Sequence, residues 1–280
     1  MEKPEPYGSG FFHSTGTNLS AMSTSIEIDQ INGIRTLALN RPEVFNSFDQ
    51  EMGRAFQSAL DDASVDDSVR CVVITGNGRA FCAGQDLKEV TSDASPGFKV
   101  IVEETYNRSI RKICSMPKPV IAAVNGVAAG AGANIALACD FVVAKASAKF
   151  IQAFANIGLI PDSGGTYWLP RLVGMARAKE LTLLGQPLTS KEAEAIGLIY
   201  KSVLDDNWSG EVQSLANQLA QMPTYALGLT KKALHTSAFN SLEQQLGLEL
   251  ELQFEAAETK DYAEGVQAFL EKRPANFLGR

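Results

Sequence analysis

Apolar and polar positions alternate along this chain at two different periods. Ile26 to Ile28 and Ile34 to Leu39 are apolar runs flanking Asn32-Gly33, a pairing that predicts a β-hairpin. After Asn40-Arg41-Pro42 the period changes: Met52, Phe56, Ala59 and Leu60 share one face of a helix predicted from about Asp49 to Ala63. Cys71 to Thr75 predicts a second strand, closed by Gly76-Asn77-Gly78. A loop of small residues follows at 78–87, and then a helix from about Gly97 to Ser115. Pro119 to Val124 reads as a buried strand ending at Asn125-Gly126. Gly130 and Gly132 then open a small-residue segment that continues as an apolar helix, Ile135 to Ala138. Phe141 to Ala144 predicts another strand and Lys149 to Gln152 a short one.

From about Glu211 the pattern is helical, over Val212 to Gln221, Ala226 to Thr236 and Leu242 to Thr259. The last helix repeats Leu242, Leu246, Leu250 and Phe254 on one face, as expected of a helix packed on the core or on a neighbouring subunit. Strand, strand and helix recur in units of roughly fifty residues, which predicts a mixed α/β core. The expected organisation is a leading extension at 1–21, a core at 22–210 and a helical region at 211–280. Residues 1–21 are rich in Gly, Ser, Thr and Pro without periodicity, and Met22 resembles a second start, so this segment reads as a mobile tail or cloning remnant.

Composition narrows the function. Hydrophobic residues are 45% of the 280, enough for a large core. With 25 Lys and Arg against 32 Asp and Glu, the net charge of -7 argues against nucleic-acid binding, which needs a basic surface. The four cysteines, Cys71, Cys82, Cys114 and Cys139, stand singly and without metal-ligand spacing, so free thiols are expected. With no secretory signal, the cytoplasm is the expected compartment. The apolar window around 119–139 is broken by Asn125, Gly126, Gly130, Gly132 and Asn134, and reads as core rather than membrane span.

The junction from Lys118 to Asp140 carries the first chemical signal. Small side chains let a ligand approach the backbone, and the first N–H groups of a helix lack partners inside it. Together with the helix dipole they form a place for negative charge. Tight helix–sheet packing would call for the same residues.

Four segments carry a resemblance to a known family: L-N-R-P-E-V-F-N-S-F at 39–48, F-C-A-G-Q-D-L at 81–87, N-G-V-A-A-G-A-G-A at 125–133 and P-D-S-G-G-T at 161–166. In this order the chain, over about 24–280, resembles the crotonase superfamily of enoyl-CoA hydratases and isomerases. The resemblance implies a crotonase-like spiral of ββα turns with a C-terminal helical oligomerisation region, trimers or hexamers, and acyl-CoA thioesters as substrates. It also implies that the backbone N–H groups of Gln85 and Ala131 hold the thioester oxygen. Preorganised main-chain donors suit an enolate, because they stand where charge develops.

Two positions depart from the hydratase pattern. Asn134 and Phe154 stand where hydratases of the family use a pair of glutamates to handle water, so hydration is in doubt. One carboxylate remains, Asp162, which in isomerase branches of the family moves the proton. An apolar wall of Phe154 and Ile157 should raise its pKa, although Asp162 could equally cap the following helix. The nearest resemblance is to the branch acting on the ring 1,2-epoxide of phenylacetyl-CoA, which implies conversion to an oxepin thioester together with β,γ to α,β double-bond shifts. It rests on the longer text around these motifs and on D-Y-A-E-G-V-Q-A-F-L-E-K-R near the end.

The resemblance further implies that coenzyme A, part of the substrate and not a separate cofactor, lies along Val44 to Phe48, including Phe45 and Ser47, and along Ala83, Gly84, Asp86, Leu87 and Lys88. Gly130, Asn134 and Phe154 are expected near the acyl part. Phe269 and Lys272, contributed by a neighbouring subunit or by this one, are expected near the adenine and phosphate end. No metal is implied, and a complex with a hydratase of the same pathway is plausible by analogy. Two rivals differ in kind. A dehalogenase using Asp162 as nucleophile would want a histidine and a tryptophan where Asn107 and Phe154 stand, and the only histidines are His13 and His235. A non-catalytic acyl-CoA-binding subunit would not need Asp162.

Overall fold

The computed structural model describes residues 25–280; the expectations for 1–21, Met22 and His13 lie outside them. Strand β1 (Ile26–Ile31) turns into β2 (Ile34–Leu39) through Asn32 and Gly33, both at positive φ, as the Asn-Gly pair predicts. Helix α1 (Gln50–Val65) is capped by Asp49, whose carboxylate accepts from the Met52 N–H at 2.8 Å. Strands β3 (Cys71–Gly76) and β4 (Ala80–Cys82) follow, then α2 (Leu87–Thr91) and α3 (Phe98–Val100). The latter continues as a π-helical segment, Ile101–Asn107, into α4 (Arg108–Ser115). Next come β5 (Val120–Val124), β6 (Val127–Ala129), α5 (Ala131–Leu137), β7 (Phe141–Lys145) and β8 (Lys149–Ile151). The chain then forms α6 (Gly165–Leu184), β9 (Leu188–Thr189), α7 (Ser190–Ala195) and β10 (Lys201–Val203). It ends in α8 (Asp205–Gln221), α9 (Thr224–Ser237), α10 (Leu242–Ala257) and α11 (Lys260–Glu271).

The strands form two sheets, ordered β1-β2-β3-β5-β7-β10 and β4-β6-β8-β9. Each of the pairs β3/β4, β5/β6 and β7/β8 sends its first strand to the large sheet and its second to the small one, with parallel neighbours in both. The strand pairs thus alternate between the two sheets in turn, with helices between them. The region 78–87, expected to be loop, and the segment after Gly126 each contain a three-residue strand of the small sheet. Runs that short show no period.

The large sheet is buried on both faces, which is why β3 and β5 read as unbroken apolar runs. Val72, Ile74, Val120 and Ala122 face the inner core, while Cys71, Val73, Ile121 and Ala123 pack against Trp208, Val212, Leu215 and Leu219 of α8. The C-terminal helices are therefore partly core, starting earlier than expected at Asp205, with α11 an additional one. Along α10 the repeated face stays open: Leu242 is 76% exposed and Phe254 68%. Among the described residues no helix is long and apolar enough to cross a membrane. The four cysteines are free thiols.

Candidate active site

The loop after β2 is pinned before it reaches the site. Asn46, fully buried, donates through Nδ2 to the carbonyls of Asn77 and Ala80, both at 2.9 Å, and its Oδ1 accepts from the Arg41 N–H. This holds Phe48 beside the segment after β4. There the N–H of Phe48 bonds to the Gly84 carbonyl at 2.8 Å, and its carbonyl accepts from the Asp86 N–H at 2.8 Å. In a parallel bridge of this kind Gln85, the residue opposite Phe48, turns its own N–H to the other side.

On that other side stands the start of α5. Gly130, at φ 53 and ψ -126, bends the chain so that Ala131 begins the helix with its N–H outside the helical ladder. The approach of the two segments is close: a Cβ on Gly84 would lie 3.5 Å from the Ala131 nitrogen and 3.1 Å from the Ala129 carbonyl. One on Gly132 would lie 2.3 Å from the Cys82 carbonyl, so α5 is seated directly on β4. Among the described residues neither the Gln85 nor the Ala131 N–H donates a hydrogen bond.

Asp162 sits in the turn that opens α6, where Ser163 (φ 51) and Gly164 (φ 77) are both left-handed. For Ser163 that conformation costs roughly 1–2 kcal/mol. The residue at the helix cap is Gly164, and no side chain caps α6, so Asp162 does not spend its carboxylate there. Its Oδ1 accepts from Ser163 Oγ at 2.9 Å. Burial raises the carboxyl pKa above the ordinary value, opposed by the Ser163 hydroxyl and its own backbone N–H. Among the described residues no cation pairs with it.

The Asp162 carbonyl accepts two hydrogen bonds, from the Gly165 N–H at 2.8 Å and from Asn134 Nδ2 at 2.9 Å. Asn134 lies on α5 one turn after Gly130, fully buried, and its Oδ1 accepts from Gln152 Nε2 at 2.8 Å. This position thus lies behind the site, engaged with protein partners. Phe154 is 5% exposed, and its ring would meet a Cβ on Gly130 at 3.7 Å, so it closes the wall beside the α5 start.

Two participants had no signal in the sequence. Tyr106, in the π-helical segment and buried, donates from its hydroxyl to Gln85 Oε1 at 2.9 Å. Gln85 Nε2 in turn donates to Glu89 at 2.8 Å. Burial raises the Tyr106 phenol far above its usual pKa, and the charges of neighbours including Asp162 add to it, so the hydroxyl stays protonated. The other is Gln152, whose Oε1 is buried without a partner among the described residues.

The remaining expected residues divide by place. Ser47 is buried and donates to the Val44 carbonyl at 2.8 Å, while Phe45 is 43% exposed with the Arg79 guanidinium over its ring. Ala83 donates to the Phe45 carbonyl. Asp86 caps α2 through the Lys88 N–H and pairs with Arg41 at 2.9 Å. Leu87 and Lys88 are exposed beside this rim. Phe269, on α11, is exposed and lines a groove with Tyr262, Val266 and Phe277, and Lys272 ends that helix; neither loop donor lines the groove. Asn107 faces Glu103 at the surface. A cavity of about 530 Å³ between α6, α8 and α9 is lined by Leu172, Leu234 and His235 but not by Gln85, Ala131 or Asp162, so size alone does not locate the chemistry.

The arrangement joins two uncommitted amide donors to one partly buried carboxylate. Comparisons with known proteins give the family of the chain. A 1,2-epoxyphenylacetyl-CoA isomerase of Escherichia coli (strain K12) is 48% identical, over 89% of this chain and 96% of its own length. A Rhodobacter capsulatus protein described as a "probable enoyl-CoA hydratase" is 45% identical over 91% and 98%. The crystal structure of an enoyl-CoA hydratase from Bacillus anthracis matches with a TM-score of 0.87 at 33% identity, covering 91% of this chain and all of that one. The model of the Enoyl-CoA hydratase/isomerase family matches residues 29–280, and the chain belongs to that family, with the crotonase fold.

Proposed function

We propose that this protein is an acyl-CoA isomerase in which Asp162 shuttles a proton along the acyl group while the Gln85 and Ala131 N–H groups hold the thioester oxygen. The observation that carries the reading is the Asp162 carboxylate: it is partly buried and unpaired with any cation among the described residues, with Asn134 and Phe154 at the positions of the hydratase glutamates. An uncharged amide and a phenyl ring cannot activate water. Asp162 takes a proton from the carbon α to the thioester, the electron pair moves onto the carbonyl oxygen, and the acid so formed returns the proton at the vinylogous carbon. The substrate is isomerised with no net gain or loss of atoms. Each amide donor contributes about 3 kcal/mol to holding the enolate, in line with single oxyanion-hole donors elsewhere.

The favoured substrate is the ring 1,2-epoxide of phenylacetyl-CoA; the 48% identical isomerase from E. coli supports this. The carbon–carbon bond shared by the epoxide and the six-membered ring opens, its electron pair joining the ring π system to give the seven-membered oxepin. The proton shift from the α-carbon to the ring brings a double bond into conjugation with the thioester. Simple β,γ-enoyl-CoA thioesters are a second substrate of the same site, because the proton path is identical. Coenzyme A arrives as part of the substrate, along Phe45 to Ser47 and Ala83 to Lys88. The open Leu242, Leu246, Leu250 and Phe254 face supports a homotrimer or hexamer. Product analysis after incubation with the ring epoxide, and separately with a β,γ-enoyl-CoA and its α,β isomer, tests the function. Oxepin and conjugated enoyl products support it. A 3-hydroxyacyl product as the main outcome would make the protein a hydratase, and absence of any turnover would make it a binding subunit.

A further inference from the structure

We propose that Asn134 and Gln152 are positioning residues, a two-amide strut that fixes the Asp162 turn relative to the amide donor at the start of α5. This rests on the reading of Asp162 as the proton-transfer group. One short helix holds both parts: Ala131 opens α5, and Asn134, whose N–H bonds back to the Gly130 carbonyl, sits one turn further on. A displacement of the Asp162 turn against α5 would therefore change the distance between base and oxyanion donor directly.

The direction of the strut follows from hydrogen-bond chemistry. The Asp162 carbonyl can only accept, so Asn134 must present Nδ2 to it. That leaves Asn134 Oδ1 facing Gln152, which must then offer Nε2. The consequence is that Gln152 Oε1, in a residue only 5% exposed, has no partner among the described residues. An apolar pair would fill the same space without an orphaned acceptor, and packing alone gives no reason to keep one. The turn it holds needs a tether, with two consecutive left-handed residues at Ser163 and Gly164. The fit is tight too, since a Cβ on Gly165 would lie 2.4 Å from Asn134 Nδ2.

The test compares Asn134→Ala, Gln152→Leu and Asp162→Asn with wild type, using a β,γ-hexenoyl-CoA as probe and following the conjugated product across pH. Asn134→Ala is expected to lower kcat about 30-fold, with KM within about twofold, since misplacement of reacting groups by an ångström can lose about 100-fold. Gln152→Leu should lower kcat several-fold, and both variants should displace the acidic limb of the pH profile set by Asp162. Unchanged kcat and an unchanged acidic limb in both variants, or losses confined to KM, would overturn the inference. Should Asn134→Ala fail to fold, Gln152→Leu decides by the same readouts, with its thermal midpoint measured alongside. If Asp162→Asn is inactive while the two amide variants behave as wild type, only the strut is wrong. If Asp162→Asn turns over normally, the reading of Asp162 as base falls instead.

Discussion

The Tyr106 hydroxyl donates to Gln85 Oε1 at 2.9 Å, tying a buried phenol to the residue whose backbone N–H turns toward α5. Gln85 is thereby held from two sides, by Tyr106 and by Glu89. Tyr106→Phe leaves the ring in place and removes one donor, so the fold should lose about 1 kcal/mol. Steady-state kinetics should show kcat lowered about 3- to 10-fold with KM little changed, as for loss of an interaction used in the transition state. An unchanged kcat would mean that the side chain of Gln85 does not help to place its amide.

Gly132 is the tightest point between α5 and β4. Gly132→Ala would put a methyl 2.3 Å from the Cys82 carbonyl, a backbone atom that cannot swing away. The helix start must shift, taking the Ala131 N–H with it. Activity is expected to fall about 100-fold, from misplacement rather than lost chemistry. Kinetics of the purified variant, with circular dichroism to verify folding, measures this; near-normal turnover would show that the Ala131 N–H needs no fixed place.

Burial raises the Asp162 pKa. A carboxyl that is harder to ionise in the folded state than in the unfolded chain makes folding less favourable as pH rises from the ordinary carboxylate pKa through the raised folded value. Asp162→Asn should therefore raise the thermal midpoint at neutral pH, and the gain should vanish below about pH 3.9, where both states are protonated. Thermal melts of both proteins across that range provide the comparison. An equal gain at every pH would point to a cause other than ionisation.

The Lys231 ammonium, 7% exposed, bonds to Asp140 at 2.8 Å and to the Ile113 carbonyl at 2.9 Å, fastening α9 to the core. Asp140 also accepts from the Val120 N–H. Lys231→Met strands a carboxylate without its cation, and urea unfolding should show a loss of about 3–5 kcal/mol. A loss under about 1 kcal/mol would place the pair among ordinary surface bridges.

Much of this architecture is legible in the chain because burial on both faces of the large sheet writes itself as apolar runs, and Asn32-Gly33 has one preferred turn. The small sheet is not legible: Ala80–Cys82 and Val127–Ala129 are too short to show a period. Nor is α6, where Pro170 and Gly174 interrupt the pattern. At the site, the four motifs point to Gln85, Ala131 and Asp162, while long-range partners leave no trace. Tyr106 reaches Gln85 across 21 positions, and Asn134 reaches Asp162 across 28. Asn134 and Phe154 read as departures from a pattern, but only the fold shows Asn134 hydrogen-bonded to the Asp162 carbonyl.

Uptake of solvent deuterium at the α-carbon of a β,γ-enoyl-CoA by wild type and Asp162→Asn tests most directly whether Asp162 moves the proton. Wild type should incorporate deuterium rapidly and the variant at least about 100-fold more slowly, the range expected for losing a general base. Equal incorporation by the two proteins would rule out Asp162 as the base.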